Sequence, residues 1–147
     1  MSEDQNTEAT QDRDETLRES FRSVARLLRQ TSVESLAHWD VSPSQQRALR
    51  MLTHHGPLRL SGLSDHLRIA PRSTTEVVDD LENKNLVERR PDPQDRRATL
   101  VALTEHGVEV VGAIRAAQGA ESDRFFDRLS ATDQAHLARI LRKLRST

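Results

Sequence analysis

Six histidines are the side chains in this sequence with the clearest capacity to bind a metal, because imidazole nitrogens are common ligands of zinc. His54 and His55 are adjacent, and together with His66, His106 or His136 they could surround an ion. No pair has the i, i+4 spacing of two ligands on one helix face, and a positive charge near a helix C-terminus is favoured without any metal. The sequence therefore predicts no metal site and no cofactor, with a metal-responsive protein as an alternative.

Motifs of catalysis are missing from the sequence. It has no Gly-rich phosphate-binding loop, no GxSxG and no HExxH, and its five glycines are expected at helix ends, in turns and inside helices. The chain has no cysteine, which excludes disulfides, thiolate metal sites, cysteine catalysis and thiol-based redox sensing. We therefore expect a binding protein rather than an enzyme.

Length and charge place the chain among single-domain proteins with a small core. It has 147 residues, of which 35% are hydrophobic and 31% charged. Residues 1–20 hold seven acidic residues and two arginines, so the other 127 residues carry 20 basic against 16 acidic groups. This mild positive charge neither establishes nor excludes binding to nucleic acid.

The N-terminal segment differs in composition from the rest. Residues 1–13 are polar and acidic and lack periodicity, which predicts a disordered acidic tail. No run approaches the roughly 18 consecutive apolar residues of a membrane span, and the chain does not open with a basic and then apolar stretch. We expect a cytoplasmic protein without a membrane partner.

Apolar spacing predicts a long first helix. Phe21, Val24 and Leu28 recur at the spacing of one helix face. The helix is expected to run from Leu17 to about His38.

Hydroxyl side chains mark the starts of further helices. Ser42, Pro43 and Gln45 have the pattern of a capping box with proline at the first helical position. Thr104 is expected to cap a long helix that reaches the bulky residues near Phe126. The last helix, capped by Ser130, has an apolar face formed by Leu137, Ile140, Leu141 and Leu144.

Two shorter helices are predicted in the middle of the chain, after a short extended piece at residues 57–60. Ser61 can cap the first of them, Gly62–Leu67, and Pro71 opens the second, which ends at Asn85. The apolar face of the second comprises Thr74, Val77, Val78 and Leu81. Two short helices joined by a turn of about three to four residues predict a helix-turn-helix, whose second helix enters the major groove of DNA.

A charged hairpin is predicted directly after this motif. Leu86–Arg90 and Ala98–Leu103 are strand-like runs, separated by the loop Pro91–Arg97, whose prolines are expected to stay outside the sheet ladder.

The order of these elements resembles the MarR family of winged-helix transcriptional regulators. The most specific stretches are LENKNLVERR at 81–90, DRRA at 95–98 and LTEHG at 103–107, and the resemblance extends from Leu17 to the C-terminus. It implies a mainly α winged helix-turn-helix fold with a small β-hairpin wing and N- and C-terminal dimerisation helices. The single MarR-type domain would span residues 14–147, with the winged lobe at 57–103 and the dimerisation helices at 14–40 and 104–147.

The resemblance also implies a homodimer in which the first, fifth and sixth helices of the two chains interlock. The sequence gives independent support, because a small core cannot cover the apolar stripes of both terminal regions. A monomer that packs these stripes against each other is the alternative. The expected interface residues are Phe21, Val24, Phe125, Phe126, Leu137, Ile140, Leu141 and Leu144.

Residues for DNA contact follow from the resemblance position by position. The polar face of the second helix of the motif would present Arg72, Ser73, Thr75 and Glu76 to the major groove. In the wing, Arg97 would enter the minor groove and Asp95 would orient it. The arginines expected on phosphates are Arg89, Arg90 and Arg96.

The sequence departs from the family pattern at three positions near this surface. Glu76 and Asp80 stand where the family often has a basic residue, and Ala70 replaces the usual hydroxyl N-cap. Acids that face phosphates would repel them, which shifts the expected affinity toward the wing.

The resemblance implies a regulator of a palindromic double-stranded DNA operator, read by two recognition helices about 10 bp apart. A repressor relieved by a small phenolic or aromatic-acid ligand, bound between the dimerisation helices and the DNA lobe, is the expected mechanism. The alternatives are a metal-responsive regulator of the same fold and a winged helix used for protein contacts.

Overall fold

The computed structural model describes residues 15–146. The predicted disordered tail at residues 1–13 lies outside this part of the chain. The described elements, numbered in chain order, are the helices α1 (Leu17–Ala37), α2 (Pro43–His55), α3 (Leu60–Leu67), α4 (Pro71–Asn83), α5 (Glu105–Phe126) and α6 (Ala131–Arg145), and the strands β1 (Leu58–Arg59), β2 (Val87–Pro91) and β3 (Thr99–Leu103). The mainly α winged helix-turn-helix prediction is confirmed.

Hydroxyl caps begin the helices where the sequence predicts them, with one exception. Ser42 accepts from the backbone N–H of Gln45 and forms the predicted capping box, while Thr104 and Ser130 cap α5 and α6. The predicted cap at Ser61 is wrong, because α3 begins at Leu60 directly after the paired strand residue Arg59 and has no side-chain cap. Pairing of β1 with β3 fixes the backbone entering α3, so that Ser61 lies inside the helix.

The strands form one three-stranded antiparallel sheet in the order β1-β3-β2. The hairpin prediction is confirmed, but its boundary is wrong at Pro91, which pairs with Thr99 as the last residue of β2. A proline is tolerated there because it ends an edge strand, where its missing N–H removes no bond from the centre of the ladder.

The core lies beneath the helix-turn-helix, between α2, α3, α4, the sheet and the first half of α5. Its largest fully buried side chains include Leu49, Leu63, Leu81 and Val101. Thr74 is also fully buried, and the Ser64 and Thr74 hydroxyls are 2.7 Å apart in a hydrogen bond between α3 and α4. Two helices joined by a short turn are thereby held at a fixed angle.

The start of α5 is joined closely to the end of α4. Asn85 has the left-handed φ of 58°, as its place after the helix predicts, and its carbonyl accepts from the Thr104 hydroxyl at 2.6 Å. A Cβ on Gly107 would lie 2.0 Å from the carbonyl oxygen of Leu86, so only glycine fits there. This close approach fixes the start of α5 relative to the end of α4 and the start of β2.

Apolar residues remain exposed on the terminal helices of the single chain. Phe21 is 59% exposed, and no residue of α6 is buried. None of the helices within residues 15–146 is both long enough and apolar enough to cross a membrane.

Candidate nucleic-acid interface

Helix α4 presents a polar face on the side opposite its core contacts. Arg72, Ser73 and Glu76 are exposed, and Thr75 is half-buried. The Thr75 hydroxyl donates to the carbonyl of Pro71 at 3.0 Å, which leaves its oxygen lone pairs as acceptors. The four residues predicted for base contact therefore share one accessible surface at the N-terminal half of α4.

The wing tip is ordered by a side chain that caps its own turn. The carboxylate of Asp95 accepts from the backbone N–H of Arg97 at 3.0 Å, and the carbonyl of Asp95 accepts from the N–H of Ala98. Arg96 and Arg97 are both exposed on this turn. Asp95 thus orients Arg97 through the backbone, and the guanidinium extends from a fixed Cα.

Two arginines of β2 are engaged within the chain. The guanidinium of Arg89 contacts Asp79 at 2.7 Å and Glu82 at 2.8 Å, both on α4. Arg90 pairs with Glu88 at 2.9 Å on the other face of the strand. Arg89 and Arg90 therefore form ion pairs with neighbouring carboxylates, whereas Arg96 and Arg97 are exposed at the wing tip. Residue type alone does not reveal this difference, because all four are arginines.

A further ion pair, which the sequence does not indicate, lies where the wing loop begins. Both Nε and Nη2 of Arg59 donate to one carboxylate oxygen of Asp92, at 3.0 and 2.7 Å, and the other oxygen accepts from the N–H of Gln94. These bonds hold the pKa of Asp92 below its ordinary value, with the Gln94 N–H as the largest cause and Arg59 as the next. The Asp92-Pro93 dipeptide is a turn signal in the sequence, but its partner on β1 is 33 residues away.

Asp92→Asn is expected to destabilise the fold near neutral pH and to destabilise it progressively less as the pH falls below 3.8. Because the pKa is lowered from 3.8 by folding, the ionised carboxylate stabilises the protein above that pH, and this stabilisation is lost as the pH falls through the lowered pKa. Urea unfolding of both proteins from about pH 7 to about pH 3 measures the difference in free energy of unfolding. A difference that stays constant over this range would contradict the assignment.

Three of the histidines meet where α2 and α3 end. The rings of His55 and His66 stack at 4.0 Å, and His54 contacts His55 edge-on at 4.6 Å. Desolvation, followed by the neighbours His66 and His54, lowers the pKa of His55. Within residues 15–146 no group of three or more His, Cys, Asp or Glu side chains is arranged to hold a metal ion.

A cavity of about 200 Å³ lies between α2 and α5. Gln46 of α2 donates to the side-chain oxygen of Gln118 of α5 at 2.8 Å, and Gln118 donates to the carbonyl of Ser32 of α1 at 3.2 Å. The cavity is lined by Gln46, Leu49, Arg50, Val111, Ile114, Arg115 and Gln118. Trp39, the only tryptophan, packs against the core beside the joint of α1 and α2.

The predicted dimer residues fall on two surfaces. Phe21 and Val24 are exposed on α1. A groove between α5 and α6 is lined by Phe126, Leu137, Leu141 and four further residues. Phe125 packs edge-to-face on Phe126 beside this groove, and Ile140 and Leu144 are exposed on α6.

Comparisons with known proteins agree with this architecture. The model of the MarR family matches residues 41–99, which include the helix-turn-helix and the wing loop. The HTH-type transcriptional repressor MdtR of Bacillus subtilis is 28% identical over 125 residues, covering 85% of this chain and 81% of MdtR. The HTH-type transcriptional regulator MhqR of Bacillus subtilis is 32% identical over 104 residues, covering 71% of this chain and 72% of MhqR.

A solved structure shows the same fold at nearly full length. The crystal structure of RV1404 from Mycobacterium tuberculosis is 30% identical, with a TM-score of 0.77, and the match covers 98% of this chain and 92% of that one. The sequence match to MhqR spans more than two thirds of both chains, and the helix-turn-helix is followed by the β-hairpin as in a winged helix. The chain therefore belongs to the MarR family of winged-helix, DNA-binding transcriptional regulators, which are not enzymes.

Proposed function

We propose that this protein is a homodimeric repressor that binds a near-palindromic DNA operator and is released from it by a small phenolic or aromatic-acid ligand. The observation that carries the proposal is the pairing of an accessible polar face on α4 with an arginine-tipped wing held by the Asp95 turn. A winged helix used only for protein contacts has no need of two exposed arginines at a fixed turn.

The proposed contacts divide into those that read bases and those that hold the backbone. Arg72 can bond guanine with two hydrogen bonds, Glu76 can accept from cytosine N4, and the hydroxyls of Ser73 and Thr75 can reach bases or phosphates. Arg97 enters a narrow minor groove, where the negative potential is strongest.

Sequence-independent affinity comes from the remaining basic groups of the wing. Arg96 is exposed beside Arg97, and Arg90, although paired with Glu88, is half exposed on the solvent-facing side of β2. Both side chains are placed to meet phosphates on either side of the minor groove. A carboxylate partner as exposed as Glu88 holds Arg90 only weakly, so a phosphate can replace it.

Dimerisation supplies the spacing of the two DNA-reading surfaces. The exposed apolar residues of α1 and the groove between α5 and α6 support an interface between two chains. A twofold axis through that interface would place the recognition helices in major grooves about 10 bp apart.

The cavity between α2 and α5 supports the ligand part of the proposal. Arg50 and Arg115 line it and can pair with a carboxylate, while Leu49, Val111 and Ile114 can pack against an aromatic ring. A ligand there would compete with the bond between Gln46 and Gln118, which connects the two regions. The ligand would favour a dimer whose recognition helices are not spaced to fit two successive major grooves. The size of this shift would depend on how much more tightly the ligand binds that dimer than the DNA-binding one. The repressor name of MdtR supports the sign of regulation.

Selection from a pool of random duplexes tests the DNA part and also identifies the operator motif. We expect an enriched motif with twofold symmetry and half-sites about one helical turn apart, bound with steep salt dependence. No enrichment at low salt would overturn the proposed function, and an asymmetric motif would overturn the dimeric reading of DNA.

Sodium salicylate and sodium benzoate are suitable probes for the ligand part. Either is expected to weaken binding of the wild-type protein to the selected duplex, whereas benzyl alcohol, which lacks the carboxylate, is expected to have less effect. Arg115→Gln should retain DNA binding and lose the response to the acids. An unchanged dissociation constant at saturating concentrations of both acids would contradict an aromatic-acid effector.

A further inference from the structure

Strand β2 places alternate side chains on opposite sides of the wing. Val87 is buried, and Arg89, two residues further, lies on the same side of the strand. Glu88 and Arg90 occupy the other side and pair with each other. Arg89 is therefore directed toward α4 and away from the surface that carries Arg90.

On that side Arg89 connects the wing to two successive turns of the recognition helix. Its Nη2 lies 2.7 Å from Asp79 and its Nη1 lies 2.8 Å from Glu82, while its backbone N–H donates to the other oxygen of Glu82 at 3.3 Å. Its side chain is 27% exposed, less than that of either carboxylate. The hydrogen bond that it donates to Asp79 is the main reason that the pKa of Arg89 is raised. Because one guanidinium bonds two carboxylates on the same helix, these charge-assisted bonds restrict both the distance between β2 and α4 and the rotation of β2 relative to α4.

The wing is fastened at a second point on its other edge. Arg59 of β1 holds Asp92, the residue that follows β2 and begins the wing loop. Pairing of β3 with β1 and the burial of Val87 and Val101 hold the lower part of the hairpin, so these two attachments act on the part of the wing nearer its tip. DNA binding requires the tip and the N-terminal half of α4 to engage neighbouring grooves together, and a tip that must first be ordered binds more weakly.

We propose that Arg89 is a positioning residue, which holds the wing at the angle that DNA binding requires, and that Asp79 and Glu82 strengthen DNA binding through it although they are acidic. The inference rests on the proposed function, because it assumes that α4 and the wing contact DNA together. It assigns Arg89 a role different from the phosphate contact expected from its place in the sequence.

Two possible roles of Asp79 and Glu82, as repelling charges or as partners of Arg89, predict opposite changes in DNA affinity when both residues are replaced. If Asp79 and Glu82 act only as charges on a DNA-facing helix, their removal should relieve repulsion of phosphates and tighten binding. If they hold Arg89, their removal should release the wing and weaken binding. Asp80, on the same helix and exposed, takes part in none of the ion pairs found among residues 15–146, so Asp80→Asn provides a matched control for the effect of charge alone.

The experiment uses fluorescence anisotropy with the duplex selected on the wild-type full-length protein, at several salt concentrations. The variants are Arg89→Gln, the double variant Asp79→Asn/Glu82→Gln and the triple variant that combines them, with Asp80→Asn as control. We expect roughly three- to tenfold weaker binding for Arg89→Gln and for the double variant, and no further loss in the triple variant, because residues of one network are not additive. Asp80→Asn should bind as tightly as the wild type or more tightly.

The salt dependence separates positioning from direct contact. A lost phosphate contact reduces the slope of log affinity against log salt by about 0.9, whereas a positioning residue leaves the slope nearly unchanged. Arg89→Lys, which keeps the charge but cannot bridge both carboxylates with a planar fork, should lie between the wild type and Arg89→Gln. Thermal unfolding and light scattering confirm that each variant is folded and has the wild-type mass, and Asp79→Asn alone replaces the double variant if that protein does not fold.

Two results would overturn the inference. One is a double variant that binds as tightly as the wild type or more tightly. The other is a slope in Arg89→Gln that falls by about 0.9, which would identify Arg89 as a phosphate contact. Failure of the proposed function would look different from failure of this inference. In that case the wild-type protein would enrich no duplex, and Arg97→Ala would not change its affinity for DNA.

Discussion

Arg97→Ala is expected to weaken binding to the selected duplex by about 1 to 3 kcal/mol. The side chain is exposed on a turn that Asp95 holds through the Arg97 backbone, so the guanidinium can enter the minor groove without first ordering the loop. Removing it should also reduce the preference for A/T-rich sequence beneath the wing, because a narrow groove attracts arginine most strongly there.

Arg96→Ala is the matched control, since Arg96 is the adjacent exposed arginine on the same turn. As a phosphate contact it should weaken binding to all sequences about equally and lower the salt slope by about 0.9. Anisotropy titrations of the selected duplex and of a version with G·C pairs beneath the wing measure both effects. An Arg97→Ala protein with wild-type affinity for both duplexes would show that the wing tip does not read the groove.

Local signals in the sequence account for most of the correctly predicted fold. The capping box at Ser42, the cap at Thr104 and the left-handed Asn85 each depend on residues within one helical turn, and all three are found in the structure. The burial of Thr74 also follows from helical periodicity. Such features are predictable because their energetics do not depend on distant parts of the chain.

Contacts between distant residues could not be predicted in the same way. Arg59 and Asp92 are separated by 33 residues, and Gln46 and Gln118 by 72, so neither pair has a spacing that indicates contact. Arg89 shows the same limit, because its residue type indicates a preference for an anion but not whether that anion is a carboxylate or a phosphate. Only strand alternation combined with the position of α4 assigns Asp79 and Glu82 as its partners.

The predicted DNA contacts lie on two parts of the surface. The structure places Arg72, Ser73, Thr75 and Glu76 on one accessible face and Arg96 and Arg97 at the wing tip. Glu76 is the residue whose role depends most on the operator, because it can accept from cytosine but repels phosphate. A preference for cytosine in the selected motif that disappears in Glu76→Ala would distinguish the two effects.

Replacing both Leu141 and Leu144 with aspartate is expected to destabilise the dimer by roughly 4 kcal/mol or more, and so to dissociate or unfold it. Leu141 lines the groove between α5 and α6, and Leu144 lies one turn further along α6 and is 63% exposed in the single chain. In a twofold interface the two chains together would bury four new carboxylates. Protonation of these groups would lower the free-energy cost of burying them but would not remove it, because a neutral carboxyl group is still polar.

Light scattering after size-exclusion chromatography measures the mass, and circular dichroism reports whether the separated chains stay folded. Val108→Asp is the matched control, since Val108 is an apolar residue at the start of α5 with 58% exposure that is not among the predicted interface residues. This control should remain dimeric and bind DNA as the wild type does.

A folded Leu141→Asp/Leu144→Asp protein that keeps the dimer mass would place the interface elsewhere, and dissociation caused by Val108→Asp would place it at the start of α5. Loss of DNA binding together with loss of the dimer would show that binding to the operator requires the dimer. A single winged lobe contacts only one half-site and lacks the additional affinity that two linked lobes provide.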